Sequence, residues 1–98
     1  MPIGTVIINT NATVQLVAPS PDNVIKVVSY FFVVSGASTI TFQDSDGNAL
    51  TGPMAFGANG GMVLSENSRG WFRTPTAKGL KIAVSGGNAG GALNYDVE

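Results

Sequence analysis

The side chains of this 98-residue sequence that could carry chemistry are six carboxylates, five cations and a scatter of serines and threonines; histidine and cysteine are absent. Histidine is the usual general base near neutral pH and cysteine the strongest side-chain nucleophile. Proton transfer would therefore fall to carboxylates and nucleophilic attack to serines with no base beside them. The carboxylates are spread among turns and the carboxyl terminus, and Asp44 and Asp46, two apart, straddle a turn. No serine sits in a strand-turn-helix elbow that would expose it as a nucleophile. The sequence reads as a protein that is not an enzyme.

Ligand motifs fare no better. The stretch "DSDGN" (44–48) opens like a calcium loop with oxygen donors at alternate positions, but Ala49 stands where the loop's glycine belongs and Ala55 where its bidentate glutamate belongs. A solvated hairpin tip is the better reading, with no metal. "SGGNAGG" (85–91) is glycine-rich yet lacks the following Lys-Ser/Thr and opens no helix, so it cradles no phosphate. Asn11-Ala12-Thr13 matches a glycosylation triplet, which has no meaning without export. No cofactor is implied, and without cysteine the fold is held by packing and hydrogen bonds alone.

A net charge of −1 with only Lys26, Arg69, Arg73, Lys78 and Lys81 as cations leaves too little positive field for a nucleic-acid groove. The amino terminus has no basic segment followed by an unbroken apolar one, and no stretch approaches the ~20 apolar residues of a membrane span, so a soluble, non-exported product with no membrane partner is expected. Charged residues are 11% of the chain and apolar ones 44%. Such a sparse charge pattern guards a surface poorly against association, which implies that part of the exterior is an interface.

The side chains best suited to contact are Trp71 and its neighbours. On a strand Trp71 and Arg73 share a face and Phe72 takes the other, so one large aromatic enters the core and one stands outward. Trp71 either caps the end of the domain under a loop, or joins Arg69 and Arg73 in a contact anchor of the residue types that dominate protein interfaces. A stacking platform for a sugar ring is a third reading, without the companion aromatic and acidic residues of such a groove.

The elements that position these residues are strands. Helical periodicity is missing, and β-branched and aromatic runs alternate with Gly, Asn, Asp and Pro roughly every 8 to 12 residues. Strands are expected near 3–8, 12–18, 24–35, 38–44, 49–57, 61–65, 70–74, 79–85 and 91–97. The pattern implies an all-β, antiparallel two-sheet sandwich of about eight strands, jelly-roll or immunoglobulin-like, formed as a single domain over 1–98 with residues 1–8 as an arm or edge strand. Asn59-Gly60 is a strong signal for a type I′ hairpin. Asp46-Gly47 and Ser35-Gly36 mark further reversals, so a meander of mostly local pairings is expected, with at least one strand crossing between sheets. Gly61 offers a bulge.

Alternation assigns faces in 38–43, where Ile40 and Phe42 oppose Thr39, Thr41 and Gln43, and in 79–85 and 92–97. Residues 24–34 break it. Val24, Val28, Tyr30, Phe32 and Val34 line one side, while Ile25, Val27, Phe31 and Val33 line the other. A strand apolar on both faces calls for a second partner, either a covering loop of the same chain or the same strand of another subunit. Ile25, Val27, Phe31 and Val33 are thus the candidate partner-binding residues, with Arg69, Trp71 and Arg73.

The runs "ANGGMVLSENSRGWFRT" (58–74), "GLKIAVSGG" (79–87) and "GGALNYDVE" (90–98) resemble the endings of small β-rich proteins encoded among tailed-phage virion genes, which decorate or cement the capsid. The likeness covers residues 54–98 and rests on Asn59, Gly60, Gly61, Leu64, Gly70, Trp71, Phe72, Gly79, Leu80, Ser85, Gly91 and Tyr95. These are turn and core positions, so the likeness bears on fold more than on role. The loop "PTAK" (75–78) departs from the pattern, and the amino half has no counterpart. The resemblance implies a structural protein that binds the outer capsid between capsomers as a homotrimer. Its partners would be sister copies and the major capsid protein, and it would be made in the bacterial cytoplasm and carried on the virion surface. The rival readings are a receptor- or carbohydrate-binding module of a phage fibre and a tail or connector component.

Overall fold

Short apolar runs bounded by Gly, Pro, Asn and Asp become strands in the computed structural model, which describes residues 3–67 and 69–98. Among these residues the strands are β1 (Ile3–Thr10), β2 (Val14–Val17), β3 (Ile25–Val34), β4 (Ser38–Asp44), β5 (Met54–Phe56), β6 (Gly61–Leu64), β7 (Phe72–Arg73), β8 (Leu80–Gly86) and β9 (Ala89–Val97). Met1 and Pro2, the start of the arm or edge strand expected at 1–8, lie outside the described residues. All pairings are antiparallel, in two sheets ordered β1-β9-β3-β6, with β7 also on β3, and β2-β8-β4-β5. The protein is an all-β sandwich.

The pairings nest. β1 lies on β9, β2 on β8, β3 on β6 and β7, and β4 on β5. Since β6 and β7 both lie along β3, they act as one interrupted strand. The chain is then a single long hairpin with its tip at β4–β5, rolled up until β9 also meets β3 and β8 also meets β4. That is the order of a jelly roll and decides between the two arrangements compatible with the sequence.

This topology corrects the expected meander, because only β4–β5 and β6–β7 connect within one sheet. Ser35-Gly36 carries the chain from one sheet to the other, and Asn59-Gly60 carries it back. Asn59 has a φ of 64°, but Gly60 is not in the left-handed region, and the turn is closed by the Gly60 N–H on the Gly57 carbonyl at 2.9 Å. The dipeptide reverses the chain as its chemistry requires. The next strand then pairs where its apolar side, Met62 and Leu64, reaches the core. Gly61 makes no bulge; β6 runs in unbroken register along β3 from Leu64 to Gly61.

Asp46-Gly47 does form a hairpin tip. The Asp44 carboxylate accepts the N–H groups of Asp46 at 2.9 Å and Asn48 at 3.0 Å, and Gly47, at φ 91°, donates to the Asp44 carbonyl at 3.0 Å. The acidic tip is thus a self-satisfied turn.

The core is aromatic at its centre. Tyr30 stacks on Phe32 at 5.7 Å and tilts against Phe42 at 5.0 Å, Phe42 meets Phe72 at 5.4 Å, and Phe56 stands edge-on to Phe32 at 5.3 Å. The fully buried Phe32 and Phe42 each contribute roughly 1.5–3 kcal/mol by leaving water. In β4 the alternation read from the sequence is the one observed, with Ile40 and Phe42 inward and Thr39, Thr41 and Gln43 more exposed.

β3 departs from the sequence reading. Val27 faces Tyr95 on β9 and Ser29 faces Asn94, so Val28 is an extra residue, a β-bulge. The extra residue shifts the side-chain phase by one. Ile25 (2% exposed) and Val27 (0%) therefore enter the core with Tyr30, Phe32 and Val34. They are not outward partner-binding residues, and the doubly apolar ribbon shrinks to Phe31 and Val33.

Candidate binding surface

Residues directly opposite in adjacent antiparallel strands share a face, so the register of the five-stranded sheet writes out its outer surface row by row. One row reads Ile7, Ala92, Phe31, Val63 across β1, β9, β3 and β6. Ile7 is 76% exposed, Phe31 52% and Val63 78%. Three strand spacings of ~4.8 Å make this apolar row roughly 14 Å wide. The next row reads Asn9, Gly90, Val33, Gly61, in which Val33, 57% exposed, stands between two glycines.

On the other side of the apolar row lies a polar one. The Thr5 hydroxyl bonds to Asn94 Oδ1 at 2.7 Å, and Asn94 Nδ2 donates to Ser29 Oγ at 2.9 Å. Beyond it, Asp96, Lys26 and Arg73 stand across β9, β3 and β7. Lys26 Nζ lies 3.6 Å from Asp96 and 3.5 Å from Glu98, and Arg73 Nε donates to Glu98 at 2.8 Å. The hydrogen bond from Arg73, with the charges of Arg73 and Lys26, holds the Glu98 carboxyl below its usual range against an opposing effect of partial burial. Lys26 and Asp96 are both buried, and Gly70, between β6 and β7, lies against the Lys26 stem.

The excursion between β6 and β7 is matched to the bulge on β3. The Val28 carbonyl accepts the Asn67 N–H at 3.0 Å, and the Val27 carbonyl accepts the Trp71 N–H at 2.8 Å. Trp71 is 44% exposed and its Nε1–H donates to the Ser65 carbonyl at 3.0 Å. Phe72 enters the core while Trp71 and Arg73 stand outside. Arg69 is exposed, its backbone N–H bound to Asn67 Oδ1.

Of the residues singled out from sequence, the structure brings Phe31 and Val33 together in one patch. Arg73 stands on β7 opposite Lys26, Trp71 is tied by its N–H to the Val27 carbonyl, and Arg69 lies in the segment before them, so these three are apart from that patch. Ile7 and Val63 complete the patch and escape sequence reading. Each sits in a recognisable strand, but only the register shows that they flank Phe31, and β1 pairs with a strand more than eighty positions away.

No group of three or more acidic side chains gathers at metal-binding distance among the described residues, and no enclosed pocket opens there. Nor is any helix there long and apolar enough to cross a membrane. At the acidic tip, burial pushes the Asp44 carboxyl up. Hydrogen bonds from Asn48 and Asp46, with the charge of Lys78, outweigh it and leave the group below its ordinary value. Lys78 pairs with Asp46.

Fold and surface together define a jelly-roll β-sandwich that exposes an apolar patch on one sheet. No protein-family model and no curated protein match the chain. Among solved structures it is similar to the crystal structure of PirA, with 10% identity over 95% of this chain and 91% of that chain and a TM-score of 0.37.

Proposed function

We propose that this protein is a non-enzymatic structural protein of a tailed-phage virion, a decoration or cement protein that binds the outer capsid between capsomers and stabilises it. The observation that carries the binding reading is the exposed row Ile7, Phe31, Val63 with Val33 beside it, on a surface with few charges. The resemblance of residues 54–98 to capsid decoration proteins supports the shell as partner. The patch has the anatomy of an interface: an apolar centre with an aromatic, bordered by hydrogen-bonded polar side chains. Docking would remove Phe31, Val33 and Val63 from water, and several copies acting together on a repeating shell would raise the effective affinity without a new contact.

The test is immunogold labelling of purified phage particles that carry the gene, with antibody raised against this chain. Label over the capsid is expected. Label confined to the tail or neck supports the connector reading, and label on fibres, with glycan binding that disappears in Trp71→Ala, supports the carbohydrate module. Particles that carry no label overturn the structural role.

A further inference from the structure

We infer that the free edge of β1 pairs with the same edge of a second copy of this chain, joining two sandwiches through one continuous sheet about a two-fold axis at Ile7. The first support is a comparison of the edges. β2 has four residues and a register break between Gln15 and Val17, with Pro19 close behind. β5 has three residues and follows Pro53, and the opposite edge is split into β6, of four residues, and β7, of two. These are the devices by which sheets blunt their edges. Pro2 precedes β1 as Pro53 precedes β5, but along its own length β1 carries none of these devices. It runs for eight residues without a charge or a proline, in unbroken register with β9. Alternate residues of an antiparallel strand turn their N–H and C=O groups to one side, so half of the β1 backbone faces away from β9. No other strand takes those groups among the described residues.

The second support identifies the occupant. Antiparallel pairing of a strand with itself requires a sequence whose chemistry reads alike in both directions. Residues 5–9, Thr-Val-Ile-Ile-Asn, do so about Ile7: polar, apolar, apolar, apolar, polar. With the axis at Ile7, Thr5 of one copy stands across from Asn9 of the other on the outer face, and Ile7 meets its own symmetry mate. Val6 stands across from Ile8 on the inner face. Each pair joins like with like, as cross-strand pairing favours.

The third support is continuity. Ile7 ends the exposed row that begins at Val63. The two-fold operation extends that row from Val63 of one copy through both Ile7 side chains to Val63 of the other, doubling the apolar patch. An isologous contact of this kind consumes both β1 edges, so the assembly closes at two copies. It differs from the threefold arrangement implied by the resemblance, and it does not depend on the capsid reading.

The sequence contains no cysteine, so a single introduced thiol reports directly on the axis. Light scattering on the unmodified protein is expected to give about 20 kDa, twice the 10.0 kDa of one chain. Under mild oxidation with diamide, Ile7→Cys should convert most of the protein to a covalent dimer. Val63→Cys, equally exposed at the opposite edge, should give only a trace. Ile7→Lys places two ammonium groups face to face and should return the mass to one chain with an unchanged circular dichroism spectrum, while Val63→Lys remains a dimer. A monomer at high concentration, a mass near three chains, or cross-linking of Val63→Cys as efficient as that of Ile7→Cys would each overturn the pairing. Loss of capsid binding by a Val63→Lys protein that is still dimeric would bear on the proposed function and leave the pairing standing.

Discussion

Phe31 on β3 stands directly across from Val63 on β6, and both side chains are exposed on the side of the sheet that faces away from the core. Two strands away from Phe31, Ile7 continues the same row. The jelly roll thus spends large apolar side chains on its outside while its inside is already filled by Phe32, Phe42 and their neighbours. The distinction between the two sides of β3 is the most direct thing to test.

Substituting Phe31 by Glu should leave stability within about 0.5 kcal/mol, as expected for an exposed position without a buried partner. Val27→Asp places a carboxylate in the core beside no cation, and should cost at least about 4 kcal/mol or prevent folding. Urea unfolding followed by Trp71 fluorescence measures both. Equal damage from the two substitutions would mean that Phe31 is covered.

How much of this was legible from sequence differs from strand to strand. In β4 the alternation of Ile40 and Phe42 with Thr39 and Thr41 states both the strand and its faces. In β3 it misleads, because the bulge at Val28 involves no glycine or proline and leaves no mark in the pattern; it is fixed by the neighbouring excursion that donates the Asn67 and Trp71 N–H groups to it. Asn59-Gly60 announces a turn correctly but not its destination. Whether the chain returns to the same sheet or crosses to the other depends on partners such as β3 and β9, which no local signal names. The candidate surface was half legible for the same reason: Phe31 and Val33 stand out by composition, whereas Ile7 and Val63 matter through register.

Two glycines on the outer face should respond in opposite directions to alanine. A Cβ at Gly61 would run into the Phe32 carbonyl oxygen and lie 3.0 Å from Val33 Cα, so Gly61→Ala should destabilise by about 1–3 kcal/mol as β6 is pushed from β3. Gly90 sits inside β9, where an added methyl group would meet nothing within 4 Å, and Gly90→Ala should stabilise by about 0.5–1 kcal/mol through a less flexible unfolded chain. Urea midpoints read both effects.

Thr74 joins the start of β3 to the loop before β8. It is buried, its Oγ1 accepts the Ile25 N–H at 3.0 Å and donates to the Lys78 carbonyl at 3.1 Å, and its own N–H donates to the Ile25 carbonyl at 3.0 Å. Thr74→Val keeps the shape but strands a buried N–H, and should cost about 1–3 kcal/mol. Thr74→Ser should recover most of that loss. If valine and serine behave alike, the hydroxyl contributes nothing.

The acidic tip gives a pH dependence with a defined sign. Burial raises the Asp44 pKa, but the hydrogen bonds of Asn48 and Asp46 prevail and leave the folded value lowered from the ordinary one. The contribution of Asp44 is present above the ordinary carboxylate range and is lost as pH falls through the folded value. Glu98, also lowered, shares that limb. Thermal melts should therefore shift downward on acidification below about pH 4, and less steeply in Asp44→Asn. Lys78 is raised, chiefly by its hydrogen bond to Asp46, so its contribution holds below the ordinary lysine range and fades as pH rises through the folded value. An acid limb unchanged in Asp44→Asn would show that Asp44 does not set it.

The bulge itself predicts an asymmetry between truncating Val28 and deleting it. Val28 is buried, and Val28→Ala removes two methyl groups while keeping the backbone count, which should cost about 1–2 kcal/mol. Deleting the residue removes the bulge and leaves the faces as they are: with Ser29 across from Asn94 and Val27 across from Tyr95, regular alternation keeps Val27 and Ile25 in the core and Lys26 on the outer side. What the deletion takes away is the Val28 side chain and the carbonyl that accepts the Asn67 N–H. The deletion should therefore keep a sigmoidal urea transition, with a midpoint below that of Val28→Ala and a near-ultraviolet circular dichroism change centred on Trp71. Loss of cooperative unfolding would show that the bulge itself, and not the register of Ile25 and Val27 alone, holds the amino-terminal half of β3 in place.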